Sequence, residues 1–335
     1  MLAKIPYVDI RGYTPLELLF LQRSRARALV EAAASTFGGW SRVVSRYALP
    51  LGDRASRRWL KRTANPYLHE IDLIAEHVGV CGAFTLNICF EWGCTTGVWE
   101  RPAAPLLRRV LDWPFPLLGE SVVVAHQSGP AGDYLNVTWP GFCGVLQAMA
   151  PGRFAAALNQ APMRKRGGGL PGDWFLGRLA AGRATGLPAS HLLRKTFETA
   201  PDYAAARRLL CEAPLATPAI FTLSGRLPHE GCVIERTEEG YGVQDMENAP
   251  VCAANHFETH LNTLRHGWRA RPIDSEGRIA QARMMGAGGQ GFSWFVPPIA
   301  NVNSRLAMMA DAAGLLAVIG TYGVKPVTEP FEWPG

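Results

Sequence analysis

The sequence lacks the features that mark membrane-spanning and exported proteins. No run of about 20 residues is both apolar and free of charge, so we find no membrane-spanning segment. Residues 1–19, MLAKIPYVDIRGYTPLELL, contain no uninterrupted apolar core followed by a small-residue cleavage site. They therefore do not have the pattern of a signal peptide. We expect a cytoplasmic protein.

The cysteines lack the even number and the close spacing that are typical of a disulfide framework or a zinc site. They number seven, which is odd, and none has CxxC spacing. Without an export signal this pattern predicts reduced thiols, most of them buried as small hydrophobic groups. His256 and His260 are four residues apart, but they follow a strand-like run and have no third ligand at sensible spacing. We therefore expect no metal site.

The signals for cofactor and nucleic-acid binding are also weak. Gly286, Gly288 and Gly291 match a dinucleotide-binding fingerprint, but that motif requires a strand before it and a helix after it. Here a predicted helix precedes the glycines, and Phe-Ser-Trp-Phe follows them. We interpret them as a flexible loop and expect no cofactor. Basic residues interleaved with aromatics at platform spacing are missing, so we expect no nucleic-acid partner.

The chain does have enough apolar residues for a large core. Hydrophobic residues make up 48% of its 335 residues, charged residues make up 19%, and the net charge is +6. Much of the positive excess lies in residues 41–62, at Arg42, Arg46, Arg54, Arg57, Arg58, Lys61 and Arg62. This stretch is either a solvated helix face or a contact for an anionic membrane surface, and the sequence leaves both open.

The spacing of apolar residues predicts a helical N-terminal part followed by alternating strands and helices. Residues 14–36, with Thr14 as N-cap, and residues 67–79 have helical spacing. Short runs broken by glycine and proline predict a strand meander at 121–126, 134–141, 144–150 and 153–160, and further strands within 218–257. We predict a loop at 167–174, two helices in 191–213 divided at residues 200–202, and a helix at 277–285. This order indicates an α+β fold.

The stretch EWGCTTGV, residues 91–98, raises the question of a nucleophile. If the chain were cut before Cys94, the freed α-amine would have a pKa of about 7.7–8.0 and could act as a base for the adjacent thiol. Gly93 adds no side chain that would obstruct attack on its carbonyl. Taken alone, a cysteine after glycine in an apolar segment is more often a core residue.

Several motifs follow Cys94-Thr-Thr in order. They are Arg109-Val-Leu-Asp112, YLNVTWPGFCGVLQAMAPGRFAAALNQ, EGCVIER, Ala254-Asn-His-Phe257 and Glu276-Gly-Arg-Ile279. From about residue 80 to 320 the chain resembles the acid ceramidase and N-acylethanolamine acid amidase family, within the choloylglycine hydrolase group. The resemblance implies an N-terminal-nucleophile αββα sandwich. A helical segment, 1–93, would be separated by self-cleavage between Gly93 and Cys94 from a catalytic domain, 94–335.

The resemblance also implies roles for five residues. Cys94 would be the nucleophile, and Asp112 would hold its freed α-amine. Arg109 would favour the thiolate, Asn255 would donate to the oxyanion, and Arg278 would brace the cluster. Alternatively, Arg109 and Asp112 form an ordinary ion pair, and Asn255 satisfies a turn. The interval between Asn255 and Arg278 exceeds the family spacing, so we infer an insertion at residues 261–270.

The activity implied is hydrolysis of the carbon–nitrogen bond in linear, lipid-like N-acyl amides. Asn159 and Gln160 are candidate substrate-binding residues, although Gln160 stands where related proteins have a functional glutamate. Aromatic residues near the motifs would line an apolar acyl pocket or simply pack in the core; they are Trp92, Trp99, Trp113, Phe115 and Trp139. Three alternatives remain: an acyltransferase on the same scaffold, an inactive homologue that binds lipid through the basic N-terminal helices, and a dinucleotide-dependent enzyme. The sequence leaves the oligomeric state open.

The C-terminal stretch, residues 304–323, allows either one helix or a hairpin. Its likeness to the closing strand pair of the same family favours the hairpin.

Overall fold

The computed structural model describes residues 2–37, 42–88, 93–114, 116–269, 271, 273–289 and 291–333. The helices in this part of the chain are α1 Leu16–Leu21, α2 Arg23–Phe37, α3 Arg42–Arg62, α4 Leu68–Val78, α5 Ala83–Asn87, α6 Gly169–Ala181, α7 Ala189–Thr199, α8 Tyr203–Glu212 and α9 Ser275–Met284. Short 3₁₀ helices lie at Gly119–Ser121 and His260–Gly267. No helix within these ranges is both long and apolar enough to cross a bilayer.

The strands occupy mainly the second and third quarters of the chain and its C-terminal end. They are β1 Tyr7–Asp9, β2 Gly93–Trp99, β3 Leu106–Asp112, β4 Val123–Gly129, β5 Gly132–Thr138, β6 Gln147–Ala150, β7 Phe154–Gln160, β8 Met163–Arg164, β9 Ala219–Ser224, β10 Gly231–Arg236, β11 Tyr241–Asp245, β12 Val251–Ala253, β13 Trp268–Arg269, β14 Ser304–Ala310, β15 Leu316–Tyr322, β16 Lys325–Pro326 and β17 Phe331–Glu332.

Two sheets pack face to face between helical layers. The first has the order β1-β4-β5-β6-β7-β9-β10-β11, and the second has the order β12-β2-β3-β14-β15-β16 with β17 paired to β15. Strands β2 and β3 lie against β7 and β9 of the other sheet. Helices α7 and α8 cover the first sheet, and α9 covers β12 and β2 of the second. This is the predicted αββα sandwich, and the α+β class is confirmed.

The meander forms as predicted, because β4, β5, β6 and β7 pair antiparallel in sequence order. The predicted division of the 191–213 helices is also confirmed. Asp202 caps α8 by accepting a hydrogen bond from the Ala205 backbone N–H. The C-terminal hairpin is formed by β14 and β15, which pair antiparallel.

Two local predictions were wrong. Residues 167–174 are not a loop, because α6 begins at Gly169. The Asp173 carboxylate accepts hydrogen bonds from the backbone N–H groups of Arg166 and Gly168, and Pro171 lies in the first turn, where proline is tolerated. The single helix predicted over 14–36 is instead the pair α1 and α2, which are separated at Gln22.

The N-terminal helices pack around their own apolar cluster and contact the sandwich through a buried polar junction. Trp59, Ile71 and Ile74 belong to that cluster. In the junction, Arg194 of α7 contacts both carboxylate oxygens of Glu70 of α4 at 2.9 Å. The basic side chains at the end of α3 are exposed, at Arg54, Arg57, Arg58, Lys61 and Arg62. The division of the chain at residue 93 remains a prediction.

Candidate active site

Cys94 lies in the second residue position of β2, with its side chain between the two sheets. Side chains alternate along a strand, so Cys94 and Thr96 face the other sheet while Thr95 faces α9. Cys94 is fully buried, and its Sγ lies 3.8 Å from the Leu158 carbonyl oxygen. Its backbone N–H donates to Asn255 Oδ1 at 3.0 Å. The atom that self-cleavage would turn into an amine therefore already has a polar partner.

Arg109 is brought beside the thiol by the pairing of β3 with β2. The guanidinium is fully buried; its Nε donates to Gln147 Oε1 at 2.8 Å and its Nη1 to Asn159 Oδ1 at 2.9 Å. Burial raises the pKa of the Cys94 thiol, whereas the charge of Arg109 and its hydrogen bond act in the lowering direction. Arg109 thus has the position to favour a thiolate, as the resemblance implies.

Sequence reasoning missed Gln147, which fixes the orientation of Arg109. The signal was available, because Gln147 is the one polar residue in the apolar stretch GVLQAMA. Asn159 was expected to bind substrate. The structure places it behind Arg109, where its Nδ2 also donates to Thr96 Oγ1 at 3.0 Å.

Asp112 lies directly across the β2–β3 pair from Gly93. Its Oδ1 accepts a hydrogen bond from Ser304 Oγ at 2.7 Å, and its Oδ2 is 3.4 Å from Arg278 Nη1. Burial raises the pKa of the Asp112 carboxyl above its ordinary value, and the charge of Arg278 is the largest influence in the opposite direction. Asp112 and Arg278 form a buried ion pair, so the predicted alternative of an ordinary surface pair for Asp112 does not hold.

Arg278, on α9, joins the parts of the site. Its Nη1 donates to the Cys94 carbonyl oxygen at 2.5 Å and to Thr95 Oγ1 at 3.0 Å, and its Nη2 donates to Asn255 Oδ1 at 2.9 Å. The guanidinium is fully buried. These contacts place Arg278 at the centre of the cluster, and its bracing role stays a prediction. Residues 261–269 of the inferred insertion lie in the second 3₁₀ helix and β13, and residue 270 is outside the described residues.

Asn255 follows β12 and has partners on both ends of its side-chain amide. Its Oδ1 accepts from Cys94 and Arg278, and its Nδ2 donates to the Gln160 carbonyl oxygen at 2.8 Å. Its backbone N–H donates to Ser275 Oγ at 2.8 Å. The Nδ2 group expected to donate to an oxyanion is therefore partly occupied in the uncut chain, although an amide nitrogen has two hydrogens to donate.

The cluster is closed to solvent while Gly93 and Cys94 remain joined. Cys94, Arg109, Asp112, Asn255 and Arg278 are all fully buried. A substrate cannot reach a thiol that is enclosed in this way. Any catalytic activity at Cys94 therefore requires an opening beside it, and release of the preceding residues would be one such opening.

Gln160 contacts both this cluster and a surface cleft. Its carbonyl oxygen accepts from Asn255, and it also lines the cleft, which has a volume of about 90 Å³. The cleft is lined by Gln160, Ala161, Pro162, Met163, Arg164, Arg166, Asp173, Trp174, Gly177, Arg178, Ala181, Thr217, Pro218, Glu238 and Arg271. This volume is well below the roughly 300–1,000 Å³ of typical small-molecule pockets. It would have to widen to take a whole substrate.

The aromatic residues expected around an acyl pocket divide into two groups. Trp113 and Trp139 contact each other edge to face, and with the N-terminal helices they line an apolar cavity of about 20 Å³. Trp99 does not belong to the site, because it lies on the opposite face of β2 from Cys94 and packs in the core under α9. Trp92 and Phe115 lie outside the described residues.

The described residues of the glycine motif, 286–289 and 291, lie outside helices and strands and are anchored by an arginine. Arg108 donates to the carbonyl oxygens of Gly286, Ala287 and Gly288, and its guanidinium lies over the ring of Trp99. A phosphate-binding glycine loop presents its N–H groups, whereas this one directs carbonyl oxygens at a cation. The interpretation of the motif as a loop is confirmed.

Comparison with known proteins gives low but consistent sequence similarity to N-acylethanolamine-hydrolyzing acid amidases and acid ceramidases. The chain is 24% identical over 232 residues to N-acylethanolamine-hydrolyzing acid amidase of Cavia porcellus, covering 67% of this chain and 62% of that protein. It is 22% identical over 254 residues to N-acylethanolamine-hydrolyzing acid amidase of Oryctolagus cuniculus, which covers 74% of this chain and 68% of that protein. Acid ceramidase of Heterocephalus glaber is 33% identical over 101 residues, covering 30% and 24%. The chain thus spans less than two thirds of the Cavia porcellus relative.

Solved structures give only a weak likeness. One is a Caenorhabditis elegans N-acylethanolamine-hydrolyzing acid amidase ortholog, with a TM-score of 0.48 and 14% identity, covering 72% of this chain and 100% of that chain. Another is a conjugated bile acid hydrolase from Clostridium perfringens, with a TM-score of 0.42 and 9% identity, covering 72% and 97%. No protein-family model matches the chain.

The sequence relatives are the proteins to which the motifs around Cys94 pointed. The resemblance to the acid ceramidase and N-acylethanolamine acid amidase family is confirmed at the level of sequence similarity.

Proposed function

We propose that the chain is a cysteine amidohydrolase that activates itself by cleavage before Cys94 and then hydrolyses linear N-acyl amides. One observation carries the proposal. The backbone nitrogen and carbonyl oxygen of Cys94 are both held in a buried polar cluster, by Asn255 and Arg278, with Asp112 paired to the same arginine. A structural core cysteine would not need charged groups around its own backbone, since burying such groups is costly.

Self-cleavage would proceed through the thiol. The Cys94 Sγ attacks the Gly93 carbonyl carbon and its proton passes to the Cys94 nitrogen. The Gly93–Cys94 carbon–nitrogen bond then breaks, leaving a thioester between Gly93 and the thiol. Water adds to the thioester, releasing a carboxylate at Gly93 and a free thiol and α-amine at Cys94. Arg278, bound to the Cys94 carbonyl, and Asn255, bound to its nitrogen, fix the strand for this attack.

Hydrolysis of a substrate would use the new α-amine. The amine accepts the thiol proton as Sγ attacks the carbonyl carbon of the substrate amide, and it returns that proton to the leaving nitrogen as the carbon–nitrogen bond breaks. Arg109 stabilises the thiolate, and the cluster around Asn255 supplies donors for the oxyanion. Water then hydrolyses the acyl-enzyme thioester, and the acid departs.

Two observations support an N-acyl amide as substrate. The names of the sequence relatives describe an N-acylethanolamine-hydrolyzing amidase and a ceramidase. In this chain an apolar cavity is bounded by Trp139 and by Trp113, the residue that follows Asp112, and it could widen for an acyl chain. Both tryptophans are buried, so their part in substrate binding depends on that widening.

The intact mass of the purified protein tests the proposal. Wild type should divide into 1–93 and 94–335, and Cys94→Ala should stay whole. Cys81→Ala, which removes an exposed thiol, is the matched control and should be cleaved like wild type. The cleaved protein should release fatty acid from a simple N-acyl amide. Wild type that stays whole, or cleavage that persists in Cys94→Ala, would contradict the proposal.

A further inference from the structure

Gly93 lies in a tightly filled space, although it has no side chain. A Cβ added to it would lie 3.2 Å from Ile273 Cδ1, 3.3 Å from Asp112 Cβ and 3.6 Å from Asn255 Oδ1. The two carbon–carbon distances fall below the roughly 3.5–4.0 Å of an ordinary contact. The space around the Gly93 α-carbon thus admits a CH₂ group and resists a branch.

Ile273 is held in place by the start of α9. The side chain of Asp274, the next residue, caps that helix, and Ser275 Oγ accepts from the Asn255 backbone N–H at 2.8 Å. Ile273 itself has a φ of +91°, which a β-branched residue adopts only where its surroundings fix it. None of these contacts involves the bond that self-cleavage breaks. We therefore expect Ile273 to keep its place in the cleaved protein.

The proposed chemistry puts a substrate where Gly93 lies in the uncut chain. In self-cleavage the Gly93 carbonyl carbon becomes bonded to Cys94 Sγ, with the Gly93 α-carbon next to it. In hydrolysis the substrate carbonyl carbon becomes bonded to the same Sγ, with the substrate α-carbon next to it. The two thioesters have the same connectivity, and Gly93, like a straight fatty acyl group, has a CH₂ at this carbon. The surroundings of Gly93 therefore indicate which acyl groups fit.

We propose that Ile273 determines acyl specificity. It fills the space beside the α-carbon of the acyl group, so that the site accepts straight acyl chains and rejects those branched at that carbon. The inference rests on the proposed function. Asp112 bounds the same space, but its carboxylate pairs with Arg278. Ile273 is thus the boundary that can be changed without altering the charged cluster.

Two substrates that differ by one methyl group test the proposal on the cleaved protein. They are N-dodecanoylethanolamine and N-(2-methyldodecanoyl)ethanolamine, the second assayed as separate enantiomers because a Cβ at Gly93 occupies only one of two positions on the α-carbon. Wild type should show a kcat/KM at least about tenfold higher for the straight amide than for the poorer enantiomer, the order expected for overpacking by one methyl group.

Variants of Ile273 should reduce this difference. Ile273→Ala should lower it to about threefold or less. Ile273→Val, which removes only the methyl group that carries the close contact, should lower it in part and serves if the alanine variant does not fold. Leu227→Ala, which shortens an exposed aliphatic side chain, is the matched control and should keep the wild-type difference.

Self-cleavage gives a second measurement of the same contact. Gly93→Ala should divide at least about tenfold more slowly than wild type, because its methyl group meets Ile273. Adding Ile273→Ala to this variant should restore most of the rate, whereas adding Leu227→Ala should restore none. Gel electrophoresis over time measures these rates, with circular dichroism to check folding.

The outcomes separate this inference from the proposed function. A wild-type protein that neither divides nor hydrolyses the straight amide would overturn both. A protein that divides and hydrolyses the straight amide, but accepts both branched enantiomers equally well, would overturn only the role of Ile273. A wild-type difference that persists unchanged in folded Ile273→Ala or Ile273→Val would overturn that role too.

Discussion

Arg278 is the residue on which the geometry of the candidate site most depends. It contacts the backbone of the proposed nucleophile, the carboxylate of Asp112 and the amide of Asn255 with one planar group. A guanidinium can do this because its five N–H donors point in fixed directions. An isolated buried charge would be strongly unfavourable, and the pairing with Asp112 offsets that cost.

We predict that Arg278→Lys slows self-cleavage by tenfold or more while the protein still folds. A lysine ammonium reaches one partner well but cannot bridge Cys94 and Asn255 together, and losing one charge-assisted hydrogen bond costs about 1.5–3 kcal/mol. Gel electrophoresis over time, with circular dichroism to check folding, measures this effect. Arg283→Lys, on the exposed side of the same helix, should cleave at the wild-type rate. A folded Arg278→Lys protein that cleaves at the wild-type rate would show that self-cleavage does not depend on the contacts of Arg278.

At the scale of single elements, the face of β2 that packs against α9 has no room for a side chain at Gly97. Gly97 lies opposite Cys252 of β12. A Cβ added at Gly97 would lie 2.6 Å from the Trp99 ring and 2.9 Å from Cys252 Sγ. The ring cannot move easily, because Trp99 Nε1 donates to the Met285 carbonyl and Arg108 lies over the ring. Close packing here holds α9, and with it Arg278, against β2.

Gly97→Ala is therefore expected to lower the free energy of unfolding by about 1–3 kcal/mol, the usual cost of overpacking. Urea denaturation followed by tryptophan fluorescence measures this change. Gly240→Ala is the control, since a Cβ at that turn position meets nothing within 4 Å. A stability loss in Gly240→Ala as large as in Gly97→Ala would show that the effect is not steric.

At the scale of the whole molecule, the helical segment and the sandwich are joined by charged and polar groups as well as by apolar packing. Arg194 pairs with Glu70 of α4 at 2.9 Å and with Glu198 of its own helix at 2.8 Å. Glu198 also accepts a hydrogen bond from the Tyr67 hydroxyl. These contacts do not depend on the Gly93–Cys94 bond. We therefore expect fragments 1–93 and 94–335 to stay associated after cleavage.

Arg194→Met should weaken that association, because it leaves the Glu70 carboxylate buried without its cation, at a cost of about 3–5 kcal/mol. Size-exclusion chromatography of the cleaved protein at increasing urea concentrations should show the fragments separating earlier than in wild type. Arg207→Met, which breaks the exposed pair with Asp245, should separate at the wild-type concentration. Equal behaviour of the two variants would contradict the role of the buried pair.

The same junction predicts a pH dependence of stability. Burial, with a further contribution from Arg194, lowers the pKa of His191 from 6.5 to about 3. Below pH 6.5 the unfolded chain binds a proton that the folded chain does not, so the free energy of unfolding falls as the pH falls toward 3. One histidine contributes at most about 1.4 kcal/mol per pH unit. The ring accepts a hydrogen bond from Asn65 Nδ2 at 3.0 Å, which the neutral form allows.

His191→Gln should make the free energy of unfolding less dependent on pH between 4 and 6, because glutamine does not titrate and its oxygen can still accept from Asn65. Urea midpoints at several pH values measure this slope. His229→Gln, an exposed histidine, should leave the slope as in wild type. An unchanged slope in His191→Gln would show that other groups cause the acid sensitivity.

The sequence by itself determined the strand meander, the division between α7 and α8, and the set of residues that surround Cys94. Local periodicity, breakers and caps act over a few residues, so they can be read directly from the chain. Cys94, Arg109, Asp112, Asn255 and Arg278 could be named in advance because the order of their motifs resembles that of the acid ceramidase and N-acylethanolamine acid amidase family. Gln147 could have been added, as a lone polar residue in an apolar strand.

Only the tertiary structure decided which of these residues touch and in what way. Asn159 supports Arg109, Trp99 faces away from the thiol, and residues 169–181 form a helix beside an arginine-lined cleft. The physical reason is that such contacts join residues far apart in the chain, and their geometry depends on strand register and sheet packing. A strand register moved by one residue would turn Cys94 away from Arg109. Both faces of β2 and β3 are buried, so no alternation of polar and apolar residues in these strands fixes that register.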